Sequence, residues 1–270
     1  MQRRITVAAM VLLALAPAAR AQEKPLTGAQ ALERLKAGNV RFAADKAAPK
    51  DVGKDRRQEL AKGQHPFALV LTCADSRVAP ELVFDTGLGD LFVLRIAGNV
   101  ADPGELGSIE YAVEELGVPL IVVMGHESCG AVKAAIDGGH LEGNLATLIK
   151  MVDPGKGLPA DAKAALEAGV KNNVLAQTRL LTEKSKVIKE MADSKRVVIV
   201  SSVYRLASGQ VEWIDEAKAG AGGEAAAAKK STTITVRVPS AEARVWVDGT
   251  ETRSRGAARA LQTPPLTAGK

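Results

Sequence analysis

Pro119–Val132 reads PLIVVMGHESCGAV: an apolar run stops at a glycine and passes at once into a histidine and, three residues on, a cysteine. A continuous apolar run without alternation is the pattern of a strand covered on both faces. FALVLTC (67–73), LFVLRIA (91–97) and RVVIVSSV (196–203) repeat it. Helical patterns lie between these runs, including GSIEYAVEEL (107–116) and the longer Asp161–Asp193. Strands alternating with helices make a parallel sheet with helices on both faces. SGQVEWI, after the last long run, reads as a turn into a short antiparallel edge strand. The expected fold class is α/β, a parallel central sheet with an antiparallel edge strand and flanking helices, over residues 22–215.

Two further segments complete the domain. Thr27–Asp45 opens on an N-cap at Thr27, and its apolar residues Ala31, Leu32, Leu35, Val40 and Phe42 recur at helical spacing broken by Gly38-Asn39. KDRRQELAKG is expected to be helical, with Gly63 ending it.

Only two cysteines occur, and both stand at the ends of apolar runs: Cys73 in TCADSRV and Cys129 in HESCGAV. In an open α/β sheet, ligands bind beyond the carboxyl ends of the strands, and both motifs lie on that rim. If a helix starts at Gly125, His126 and Cys129 share one face of its first turn. One histidine and two cysteines suit zinc, and three protein ligands leave a fourth position open, the mark of a catalytic site. Asp75 and Arg77 lie two apart, so in extended chain they point the same way and can pair. A Cys73–Cys129 disulfide is the competing reading if the chain is exported.

Export is expected from the N-terminus. MQRR is basic, ITVAAMVLLALA is an apolar run of 12, and Ala19 and Ala21 supply the small residues of a cleavage site, so residues 1–21 read as a signal peptide. That places the mature chain in a periplasmic or extracellular compartment. Residues 1–21 hold Arg3, Arg4 and Arg20 and no acid, so their removal takes the formal charge from +5 to +2. From Lys229 to Lys270 eight basic residues face three acidic ones, which leaves 22–228 at about −3. With 3% aromatic residues as well, nothing in the chain calls for nucleic acid.

Residues 216–231 are Ala/Gly-rich and read as a linker. Residues 232–270 are β-branched, alternate around Arg244–Val247 and turn at Asp248-Gly249, so a small all-β module is expected.

CADSR and HESCG, about 50 residues apart, resemble the paired motifs of the β-class carbonic anhydrases. The likeness runs from AKGQHPFALVLTCADSR through HESCGAV and on to VIVSSVYRLASGQVEW. It implies a zinc enzyme, one Zn2+ per chain, that reversibly hydrates carbon dioxide to bicarbonate and a proton by attack of zinc-bound hydroxide. By resemblance Cys73, His126 and Cys129 are the ligands, and Asp75 and Arg77 the catalytic dyad. Gln64 matches a glutamine that binds substrate across a dimer interface, Phe92 and Tyr111 match apolar cleft residues, and Gly130 follows the last ligand as in the family. A homodimer or higher oligomer is implied. Two thiolates cancel the formal charge of the ion, so activity is expected to climb on the alkaline side of neutrality; a flat pH–rate profile from about pH 6 to 9 would count against this.

The family motif usually has serine where this chain has Ala74, a position that is not a ligand. In some relatives the counterpart of Asp75 occupies the fourth metal position in an inactive form. The tail, especially TVRVPSAEARVWVDG and TPPL, resembles the PEGA-like modules of exported bacterial proteins, which implies either contact with the cell envelope or no more than a tethered β unit. The chain stops at LTAGK, where such modules would continue, so an incomplete module is expected. Two other functions stay open at this point: a carbonyl sulfide or carbon disulfide hydrolase with the same ligands, and a non-enzymatic envelope protein held by the disulfide.

Overall fold

A computed structural model describes residues 25–214 and, further on, four short strands between 233 and 262. The expected signal peptide (1–21), the linker (216–231) and the Asp248-Gly249 turn lie outside the described residues.

The helices and strands run α1 (Gly28–Ala43), α2 (Lys54–Leu60), β1 (Ala68–Thr72), α3 (Pro80–Val83), β2 (Leu91–Arg95), α4 (Pro103–Glu114), β3 (Leu120–His126), α5 (Gly130–Asp137), α6 (Gly143–Ile149), α7 (Ala162–Lys184), α8 (Lys186–Asp193), β4 (Val198–Tyr204) and β5 (Val211–Ile214). The sheet order is β2-β1-β3-β4-β5; the first three pairings are parallel and β4–β5 is antiparallel. The expected fold class is what the structure has. Along β1 side chains alternate between two cores: Leu69 and Leu71 join Ile109, Val170 and Val174, whereas Ala68 and Val70 join Ala31, Leu35 and Phe84. The sheet is thus covered on both faces, as its unbroken apolar runs require.

Three sequence readings change. LFVLRIA does form β2, but the strand order puts it on the edge, and its side chains are only half-buried. The Asp161–Asp193 region is two helices: Asp161 caps α7 by accepting from Ala164 N at 2.8 Å, and Ser185 caps α8 by accepting from Ile188 N at 3.1 Å. Finally, α1 does not break at Gly38-Asn39. It starts where expected, with Thr27 and Gln30 forming a capping box, and continues to Ala43. Gly38 marks a close approach instead, because a Cβ there would lie 1.9 Å from the Phe84 carbonyl oxygen. Asn39 is buried and fully used: Nδ2 donates to Val83 O (3.1 Å) and Gly209 O (2.8 Å), and Oδ1 accepts from Val211 N (2.8 Å). Val40, in turn, points to solvent at 68% exposure.

The end of α3 is anchored by charge. The Asp85 carboxylate is fully buried, receives Arg41 and Lys50, and accepts from Ala48 N at 3.0 Å. Burial pushes its pKa up, but Lys50 and Arg41 outweigh that and the net shift is downward. A depressed folded-state pKa means the stabilisation is present above the unfolded value of about 3.9 and is lost as pH falls through the lower folded value. Asp85→Asn leaves two cations facing a neutral amide, and both partly reach solvent. We expect it to cost roughly 2–4 kcal/mol, a fall in Tm on the order of 5–15 °C by thermal denaturation, shrinking below about pH 4.

Beyond the α/β domain the chain divides near residue 221 into a second unit. There β6 (Thr233–Arg237) pairs antiparallel with β9 (Ala258–Gln262), and β7 (Trp246–Val247) with β8 (Thr250–Glu251). A small all-β module is the sequence expectation for 232–270, and the four elements described there are all strands.

Candidate metal centre

The chain leaves β1, crosses to β2 on one side, and returns through β3 on the other side of β1. β1 and β3 therefore flank the topological switch point, where open α/β sheets form their sites. Cys73 is the first residue beyond β1, His126 is the last of β3, and Cys129 is the N-cap of α5. One ligand atom from each lies within 4.8 Å of the others, and all three residues are buried.

The route by which His126 and Cys129 meet differs from the expected one. They do not share a helix face, because β3 runs through His126 and α5 begins only at Gly130. A turn brings them together, with Ser128 at φ 58°. Its frame is held by Glu127, whose N–H donates to Tyr204 O at 2.9 Å and whose carboxylate accepts from Leu206 N at 3.0 Å.

The donors fit zinc. His126 Nδ1 lies 2.9 Å from the Glu127 carbonyl oxygen, an acceptor, so Nδ1 carries the proton and Nε2 keeps a free lone pair. Nε2 is buried without a hydrogen-bond partner, the kind of orphan a metal satisfies. The two sulfurs are 4.0 Å apart and both cysteines are free. A disulfide needs about 2.05 Å, whereas two thiolates about 2.3 Å from one tetrahedral ion stand roughly 3.8 Å apart.

Electrostatics agree. The hydrogen bond between the two sulfurs pulls the Cys73 thiol well below the usual thiol range against the opposing effect of burial, and the Gly98 N–H pulls the same way. Cys129 is pushed up, because ionising it would end that donation and set a second buried negative charge beside Cys73. The pair becomes a dithiolate only with a cation present.

Asp75 stands next to this cluster, its Oδ2 3.7 Å from His126 Nε2. Arg77 Nε donates to Oδ1 at 2.9 Å and Nη2 to Oδ2 at 2.7 Å, so both carboxylate oxygens are engaged. The expected pairing is present, although a turn makes it rather than extended chain: Arg77 N also donates to Asp75 Oδ1, and Val78 N to Asp75 O. Arg77 is exposed in the single chain. These hydrogen bonds hold Asp75 well below the usual carboxylate range, against some desolvation. It is a pure acceptor at any pH where the protein works.

The remaining expected residues lie further out. Phe92 packs against the core cluster that contains both cysteines, and its ring centroid is 6.4 Å from that of Tyr111, which is 48% exposed. Gln64 is exposed between α2 and β1. Gly130 opens α5, and a Cβ there would meet nothing within 4 Å.

Arg95 escaped the sequence reading. Its Nη2 donates to Asp75 O at 2.7 Å and its Nε to Cys73 O at 3.3 Å, so it fixes the backbone on both sides of Ala74. A cation closing an otherwise apolar strand run was the available signal.

The family profile described as carbonic anhydrase matches residues 68–211. The chain belongs to the β-class carbonic anhydrases. A carbonic anhydrase of Mycolicibacterium smegmatis is 43% identical over 190 residues, covering 67% of this chain and 91% of that protein. Carbonic anhydrase 2 of Mycobacterium tuberculosis is 42% identical over 185 residues, covering 67% and 89%. Among solved structures, the Coccomyxa β-carbonic anhydrase in complex with acetazolamide is 29% identical with TM-score 0.55, covering 68% of this chain and 86% of that one. Two tetrameric β-carbonic anhydrases from Sordaria macrospora are represented at 25% identity and TM-score 0.54, covering 66% and 93%. This carbonic anhydrase is a zinc enzyme, and its reaction is the reversible hydration of carbon dioxide.

Proposed function

We propose that Cys73, His126 and Cys129 hold the catalytic zinc and that Asp75 and Arg77 form the dyad beside it. The carrying observation is the convergence of three buried donors on one point, with His126 Nε2 unpartnered. Bound zinc supplies a Lewis acid that turns water into a nucleophile near neutral pH. Asp75, an acceptor at both oxygens, would take a hydrogen bond from the attacking water and orient it. Arg77 fixes the carboxylate from one side, and Arg95 fixes the backbone beneath it. Phe92 and Tyr111 offer an apolar wall suited to an uncharged substrate, and Gly130 leaves room beside the last ligand.

The functional unit in this reading is a homodimer or larger assembly. Support comes from β2, an edge strand with a half-buried apolar face, and from Gln64 and Tyr111, which are exposed in the single chain. A second copy would supply Gln64 to the cleft. Export to a periplasmic or extracellular compartment, with the C-terminal β module contacting the envelope, rests on the N-terminal pattern and the PEGA-like tail.

Metal analysis with a thiol count and stopped-flow CO2 hydration tests the assignment. One zinc per chain, no disulfide, and fast hydration are expected. Two oxidised sulfurs with no metal would overturn it.

A further inference from the structure

A stripe on α7 backs the metal centre, and it carries two amides where apolar side chains would be ordinary. Val170, Asn173, Val174 and Gln177 recur at i, i+3, i+4 and i+7 and share one helix face. All four are buried, Asn173 and Gln177 to 0% and 1% exposure. The valines press on the strand end that carries His126: a Cβ on Gly125 would lie 2.5 Å from Val174 Cγ2 and 3.3 Å from Val170 Cγ1.

The amides grip a different segment. Asn173 Nδ2 donates to Gly98 O at 2.8 Å, and its Oδ1 accepts from Asp153 N at 3.0 Å and Gln177 Nε2 at 3.2 Å. Gln177 Nε2 also donates to Met151 O at 2.9 Å, and its Oε1 accepts from Ala101 N at 2.9 Å. Residues 98 and 101 are thus held from below. Above, the Gly98 N–H donates to Cys73 Sγ at 3.4 Å. Gly98 sits at φ +74°, and a Cβ there would meet Val152 Cγ2 at 2.8 Å, so the turn admits only glycine. Burying a side-chain amide is costly unless its partners are met, and these two meet theirs by fixing one turn against a ligand sulfur.

We propose that Asn173, seconded by Gln177, is a positioning residue for the metal thiolate, aiming the Gly98 N–H at Cys73 Sγ. An N–H···S hydrogen bond draws part of the thiolate charge toward the amide, so it sets how strongly Cys73 donates to the ion. This rests on Cys73 being a ligand. A merely structural role would have Asn173 cement the 97–101 turn without influence on the sulfur.

The test substitutes cobalt(II) for zinc in the full-length protein and in Asn173→Ala, Gln177→Leu and Thr178→Val. Thr178 neighbours the stripe but bonds Val174 O and Ser201 Oγ, so its loss weakens α7 without touching residues 97–101. Weakening the N–H···S bond raises the energy of the sulfur electrons. The thiolate-to-cobalt charge-transfer band should therefore move to longer wavelength in Asn173→Ala, by less in Gln177→Leu, and not in Thr178→Val. Zinc retention against a chelator should fall roughly tenfold or more in Asn173→Ala. A band unmoved in both amide variants, or moved equally in Thr178→Val, overturns the proposal. Should Asn173→Ala fail to fold, the cadmium-113 wild type decides: a coupling between the Gly98 amide proton and the metal supports the hydrogen bond, and its absence overturns it. A wild type with no thiolate charge-transfer band would sink the Cys73 assignment itself.

Discussion

Cys129→Ala is expected to purify folded, with a small residual fraction of zinc per chain and hydration reduced on the order of 10³-fold or more. The side chain is 1% exposed, but the change deletes a single sulfur, a packing loss of only about 1–2 kcal/mol. The metal loses one of three protein donors, and no other cysteine exists to replace it. Cys73 also loses its hydrogen bond to Cys129, the first cause of its lowered pKa, so its thiolate becomes harder to form. Both remaining changes disfavour the ion. Circular dichroism, metal content and stopped-flow rates on one preparation check the expectation, and a zinc-replete, active Cys129→Ala would remove Cys129 from the ligand set.

The second large effect separates metal binding from chemistry. Asp75→Asn should keep its zinc yet lose roughly 10²–10³-fold in kcat/KM. The substitution preserves shape and removes the negative charge that receives both hydrogen bonds of the Arg77 guanidinium. An amide presents one oxygen and one NH2, so one contact becomes donor against donor, and the carboxylate no longer offers acceptors alone. Because Asp75 is held far below the usual carboxylate range, its charge is constant across the working pH. The defect should therefore be the same at pH 6.5 and pH 9; a loss that vanished at one end would assign Asp75 a different task.

What the sequence made legible was whatever repeats locally. Strand runs such as PLIVVMG show burial on two faces through composition alone, and CADSR with HESCG carries its chemistry in a few adjacent letters. Thr27 was readable as a cap because its partner is three residues away. Other features depend on neighbours that are remote in the chain. Gly38 looks like a helix breaker until Phe84 is seen against it. β2 carries the same kind of letters as β1, and only the strand order makes it an edge. His126 and Cys129 have helical spacing, but β3 outlasts the glycine and a turn does the work. Arg95, Asn173 and Gln177 act on the site through backbone groups of other segments, which no spacing rule reaches.

Asn39 has a consequence for the order in which the molecule can be completed. Its amide joins α1 to Gly209 and Val211, partners 170 and 172 residues further on. A ribosome delivers α1 first and those partners only at the end of the α/β domain. Through that interval the helix can coil and its amide can meet Val83 O, but its other two hydrogen bonds wait and its Leu35 face has no finished sheet to lie on. The N-terminal helix is thus early in synthesis and late in assembly, and β5 is the piece of chain that lets it dock.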